Sequence, residues 1–160
     1  MTILINGSIN AGKTTIGKLL AKRIGAEFLD FDTISKEIPG FDVDKHLPQV
    51  FDKGVKQLNE MDAAGKSVIV SYVFNKHEHD RLEKELTAEL KWVTLAPPIE
   101  VAQSQRGERV LSDWEHQRVK FHYDTGVTNP DWGIIIDNSK ITPGETVNKI
   151  IQMLSLDQDE

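Results

Sequence analysis

A chain of 160 residues, 39% hydrophobic and 28% charged, has the size of one domain with a substantial core. It contains no cysteine, which excludes disulfides, thiolate metal sites and covalent catalysis through a thiol, and fits a reducing compartment. A formal net charge of −6 argues against nucleic acid held over a broad surface, so a bound anion is expected in a local pocket. The opening "MTILINGS" lacks the basic flank of a signal peptide, and no apolar run approaches the roughly 20 residues of a membrane span. A soluble, cytoplasmic protein with no membrane partner is expected, and nothing in the sequence sets an oligomeric state.

In chain order, apolar runs alternate with helical patterns, the sign of a parallel sheet covered by helices. The first strand candidate is "ILI" (residues 3–5). After a glycine-rich stretch, Ile16, Leu19, Leu20 and Ile24 recur at helical spacing, and Gly25 supplies a stop. "EFLDF" (27–31) reads as a second strand, and Leu47, Phe51, Val55 and Leu58 as a helix. "SVIVSYV" (67–73) is a third strand, followed by a helix through Leu82, Leu86 and Leu90, and "KWVTLA" (91–96) is a fourth. The prolines of "APPIE" end that pattern and start a new element, expected to be helical. Residues 106–129 are densely charged and aromatic and read as a mobile lid. "WGIIID" (132–137) is the fifth strand. A last helix runs through Val147, Ile150, Ile151 and Leu154, with Thr142 as cap and Pro143 in its first turn. The tail "DQDE" is expected to fray. No boundary divides residues 1–160.

The glycine-rich stretch is "GSINAGKTT" (7–15), which matches the phosphate-cradling pattern G-x-x-x-x-G-K-[ST] between a strand and a helix. Gly7 and Gly12 admit backbone angles that turn successive N–H groups, including those near Asn10, Ala11 and Thr15, toward phosphate oxygens. Lys13 would reach the outer phosphates, the Thr14 hydroxyl would ligate Mg²⁺, and the helix adds its positive end. ATP and Mg²⁺ are the cofactors this implies. A chance glycine-rich turn is the alternative.

"FLDFDTI" puts Asp30 and Asp32 two apart at a strand end, where side chains of an open α/β sheet face the ligand crevice. In a continuing strand both would point to one face, one orienting an acceptor hydroxyl and the other holding water of the Mg²⁺ shell. The alternative is that one merely caps the next helix.

Residues 7–34, "GSINAGKTTIGKLLAKRIGAEFLDFDTI", resemble the opening of shikimate kinases: a P-loop, a helix with a "LAKRLG"-like end, and a strand carrying D-x-D. The resemblance implies a P-loop NTPase fold, a five-stranded parallel sheet with helices on both faces in a three-layer sandwich. It makes Asp32 the catalytic aspartate and Asp30 a metal-shell residue. It stops at "SVIVSYVFN", where shikimate kinases carry a triple-glycine substrate loop, so shikimate itself is not expected as substrate. The C-terminal half is similar to chloramphenicol phosphotransferases in "RGERV", Gln117, His122, "IIIDNS" and "TPGETV". That likeness implies an adenine site near Ser139 and Pro143. Where that group carries aspartates at the end of the third strand, this chain has Ser71 and Tyr72, which shifts the metal role toward Asp30.

Transferring a phosphoryl group spreads negative charge, which Arg106 and Arg109, on one helical face with Gly107 as hinge, would stabilise; Arg118 is a further candidate. Local ion pairs to Glu108 and Glu115 are the plain alternative. Tyr72 and Asn75 are the expected acceptor contacts, whereas Trp114, Phe121, His122 and Tyr123 are read as core or lid packing. In "KHEHD", His77 and His79 point to different sides of a helix, so no zinc is assigned. The leading expectation is an ATP- and Mg²⁺-dependent kinase acting on a hydroxyl of a small molecule. A nucleotide or nucleoside kinase and a regulatory NTPase that transfers phosphate only to water are the alternatives.

Overall fold

The computed structural model describes residues 1–156, so the "DQDE" tail lies outside the described residues. Five strands, β1 (Thr2–Gly7), β2 (Glu27–Asp30), β3 (Val68–Ser71), β4 (Leu90–Leu95) and β5 (Ile134–Ile136), form one parallel sheet in the order β2-β3-β1-β4-β5. The helices are α1 (Lys13–Ile24), α2 (Phe31–Lys36), α3 (Val43–Ala63), α4 (Lys76–Glu85), α5 (Ile99–Ala102), α6 (Asp113–Asp124) and α7 (Pro143–Met153). All five expected strands are present, and the expected sandwich is the fold.

The central strands are apolar in succession because both faces are covered. Alternate residues divide between two cores. Ile3, Ile5, Ile69, Val93 and Leu95 pack under α1 and α7, while Leu4, Val68, Val70 and Trp92 pack under α2, α3 and α4. Gly25, in the left-handed conformation, ends α1. Thr142 accepts from the Glu145 N–H and Glu145 returns a bond to the Thr142 N–H, so α7 starts on a capping box with Pro143 in its first turn.

Strand ends shift by one to two residues from the sequence reading, and two boundaries differ in kind. The helix through Leu82 stops at Glu85; Leu86 is its extended C-cap and Leu90 already belongs to β4, because the following "TAEL" must turn back into the sheet. The second strand ends at Asp30 rather than Phe31. The Phe31 ring turns into the core against Phe51, Tyr72 and Phe74, with centroids 5.5–6.2 Å away. Gly54 of α3 makes room for it, since a Cβ there would lie 2.4 Å from Phe31 Cζ. This packing fixes α2 against α3, and α2 carries Asp32.

Candidate active site

One cleft of about 640 Å³ opens above the carboxyl ends of the strands, at the edge where open α/β sheets bind ligands. Its floor at one end is the glycine-rich turn leading into α1, through Ile9, Asn10, Gly12, Lys13 and Thr14. Gly7 has φ +155°, and a Cβ on it would meet the Leu95 carbonyl oxygen at 2.8 Å; Gly12 has φ +95°. Gly12 is also the N-cap of α1 and offers no side chain to the first-turn N–H groups, unlike Asp30, Asp42, Asn75, Ser112 and Thr142, which cap α2, α3, α4, α6 and α7. The α1 N–H groups are therefore left for a ligand, and their dipoles favour an anion.

Lys13 Nζ donates to the Ser8 carbonyl at 2.7 Å, folded over the turn. Burial lowers its pKa to about 8, Asp32 and Asp30 oppose that shift, and Arg109 adds to it. A polyphosphate beside it would raise that pKa again. Near pH 8.5, nucleotide binding should therefore take up a fraction of a proton, giving calorimetric heats that differ between buffers of different ionisation enthalpy. Lys13→Met should remove the difference, and heats independent of buffer in the parent protein would contradict it.

Asp30 and Asp32 do not share a strand face. Asp30 is the N-cap of α2, its Oδ1 accepting from the Asp32 N–H at 2.9 Å, while Oδ2 accepts from Thr14 Oγ1 at 3.3 Å. The capping role considered for either aspartate thus falls to Asp30, which also reaches the P-loop threonine. Asp32, in the first turn of α2, is free of that duty and lines the cleft. Its surface is open to the cleft, yet the walls crowd its carboxyl group. Burial first, then the Asp30 charge, push its pKa above the ordinary aspartate range against the pull of Lys13.

The oxygen groups of Thr14 and Asp30 are the hard donors that Mg²⁺ takes. Among the described residues no group of three or more His, Asp or Glu gathers to hold a metal by itself. A cation here would depend on a ligand's phosphates, as Mg²⁺ sites commonly do.

The far wall is built by residues 102–124. Asn10, with φ +66°, donates from Nδ2 to the Ala102 and Ser104 carbonyls, both at 2.9 Å, and Arg106 Nη1 donates to the Asn10 carbonyl at 2.9 Å. Arg106 and Arg109 do not share a helical face. They pair across a tight turn at Gly107, where φ is +71°, and Arg109 is ion-paired to Glu115. Both still line the cleft. Arg118 stacks over Phe121 with its guanidinium 4.7 Å from the ring centroid.

Asn10, Gly12, Lys13, Thr14 and Thr15 meet the cleft, as do Tyr72, Asn75 and Pro143. Gly7, Ala11 and Ser139 do not line it; Ala11 is buried, and the Ser139 N–H is taken by Asp137. Asn138 lines that end instead, donating to the Ala11 carbonyl at 2.9 Å. Asn75 is largely committed to a capping box with the buried Glu78, leaving only its amide hydrogens for the cleft. Trp114 and Phe121 are not core residues. They are 58% and 48% exposed and line the cleft from α6, as Phe41 and Leu47 do from the segment before α3 and from α3. Of "KHEHD", His79 stacks on Trp132 at 4.2 Å between centroids and bonds Asp80 at 2.9 Å.

Sequence reasoning missed two buried tethers. Ser8 Oγ and His122 Nδ1 share a hydrogen bond of 2.8 Å that ties the P-loop to α6. Burial, with Arg118 and Lys13 adding to it, lowers the His122 pKa to about 4, so the ring is neutral at pH 7. Asn6, fully buried, donates to Thr94 Oγ1 at 3.2 Å and to the Val127 carbonyl at 3.0 Å, and accepts from the Phe74 N–H at 2.9 Å. A polar residue ending an otherwise apolar strand was the only available signal.

Comparison with known proteins bears on this arrangement. The shikimate kinase family model matches residues 9–61, the P-loop through most of α3. The shikimate kinase of Psychrobacter sp. is 44% identical over 52 residues, 32% of this chain and 27% of that protein. The putative adenylate kinase of Thermococcus gammatolerans is 28% identical over 96% of this chain and 85% of its own. The structure of shikimate kinase from Acinetobacter baumannii in complex with shikimate superimposes with a TM-score of 0.69 at 20% identity, covering 99% of this chain and 95% of that one. The fold is that of the shikimate kinase-like P-loop proteins. Sequence likeness to the curated shikimate kinases spans only about a quarter of their length. The resemblance read from residues 7–34 is thus shown in the half of the chain that carried it.

Proposed function

We propose that this chain is an ATP- and Mg²⁺-dependent phosphotransferase acting on a hydroxyl of a small molecule. The carrying observation is the convergence of Lys13, Thr14, Asp30 and Asp32 on one cleft, above an uncapped helix N-terminus. Lys13 holds the outer phosphates and Asp32 orients the acceptor hydroxyl and takes its proton. Arg106 and Arg109 balance the charge that develops on the transferred group. Thr14 and Asp30 would hold Mg²⁺, which would supply charge neutralisation for the phosphates. Residues 106–129 act as a lid over the cleft, and residues near Asn138 and Pro143 receive the base.

The acceptor side favours an amphipathic molecule, an antibiotic or a metabolite. Tyr72, Trp114, Phe121, Phe41 and Leu47 offer apolar walls, while Asp32 and the Asn75 amide supply polar contacts. The likeness of the C-terminal pattern to chloramphenicol phosphotransferases agrees with such an acceptor. Nucleotide or nucleoside phosphorylation is the second reading, favoured by the similarity to a putative adenylate kinase over 96% of the chain.

Measuring ADP release from ATP and Mg²⁺ against phenicols, aminoglycosides, sugar acids, nucleosides and nucleotides tests both. Acceptor-stimulated turnover with a phenicol or other amphipathic alcohol is expected. Stimulation by nucleosides or nucleotides alone would favour the second reading. Nucleotide binding with hydrolysis but no stimulation across the panel would leave a regulatory NTPase.

A further inference from the structure

The Ser71 hydroxyl is buried, at 1% exposure for the residue, and has no hydrogen-bond partner among the described residues. An apolar side chain would fill the same space without stranding a polar group, so the hydroxyl invites an explanation. Its place in the fold supplies one. Alternation along β3 puts Ser71 on the face of Ile69, the side covered by α1, and its Cα partners are Asp30 in β2 and Ile5 in β1. Asp30 shares its own face with Phe28, which also packs on the α1 side. Thr14, in the first turn of α1, reaches Asp30 from above at 3.3 Å. Three oxygen-bearing side chains from three elements thus lie on the α1 side of the strand ends, and all three line the cleft.

We propose that Ser71 is a positioning residue for the divalent cation, its hydroxyl holding a water of the cation's shell. The inference rests on the reading of the cleft as a nucleotide and Mg²⁺ site. A neutral hydroxyl then stands where the chain lacks a third-strand carboxylate, and Asp30 is the single acidic group of the shell. Residues that orient a metal's ligands from outside the first coordination layer typically change its affinity by about 10- to 100-fold when removed.

The test is Mn²⁺ binding to the protein with a non-hydrolysable ATP analogue, read by electron paramagnetic resonance. Ser71→Ala should weaken Mn²⁺ binding about tenfold. The affinity for the analogue in EDTA should stay within about twofold, and thermal stability should be unchanged or raised because a stranded hydroxyl has gone. Ser71→Thr, which keeps the hydroxyl, should retain Mn²⁺ affinity. Unchanged Mn²⁺ affinity in Ser71→Ala would overturn the proposal, and so would a marked loss of its stability, which would give the hydroxyl a structural task. A parent protein that binds no nucleotide would instead overturn the reading of the cleft, and this inference with it.

Discussion

Asp32→Asn should lower kcat for phosphotransfer by about 10²- to 10⁴-fold while leaving the affinity for nucleotide nearly unchanged. The amide keeps the size and hydrogen-bonding shape of the carboxyl group but cannot accept the hydroxyl proton. Among the described residues the Asp32 carboxyl group makes no structural bond, because Asp30 performs the capping of α2. Its raised pKa gives a second readout. The basic form is gained as pH rises through that pKa, so under the proposed reaction the acidic limb of kcat/KM should lie above the ordinary aspartate range in the parent protein and vanish in the variant. Full turnover in Asp32→Asn with an identified acceptor would remove the assigned role.

Asn6→Ala should destabilise the fold by about 2–4 kcal/mol, through the stranded Phe74 N–H and Val127 carbonyl it leaves behind. For a chain of this length that is a drop in Tm of roughly 5–15 °C. Thr94→Val removes only one acceptor of the same network and should cost about 1 kcal/mol. Because Asn6 joins the end of β1 to Phe74 in the β3–α4 turn and to the segment after α6, its loss should also free the base of residues 106–129. Hydrogen exchange would detect this as faster labelling of the Val127 region. Stability within 1 kcal/mol of the parent protein would mean that water or rearrangement satisfies these groups.

The aspartate pair shows what one-dimensional pattern can and cannot resolve. Two aspartates at a strand end were legible, as was their need to meet the P-loop. Their division of labour was not, because it depends on where the strand stops. That point is set by Phe31 turning into a core built with Phe51, Phe74 and the gap at Gly54. The arginines followed the same course. Charge demand singled out Arg106 and Arg109, but a turn at Gly107 replaces the expected helical face, and it leans on the P-loop through Asn10.

The sequence by itself determined the glycine-rich turn that opens α1, the five strands and the alternation of strand and helix, since each is written in spacings of a few residues and in local backbone preference. Only the tertiary structure decided the contacts that complete the site. Ser8 and His122 are 114 positions apart and Asn6 and Val127 are 121 apart, while Ser71 stands level with Asp30 through sheet register. Such pairings follow from packing the whole sheet between its two helical layers, and no local periodicity encodes them.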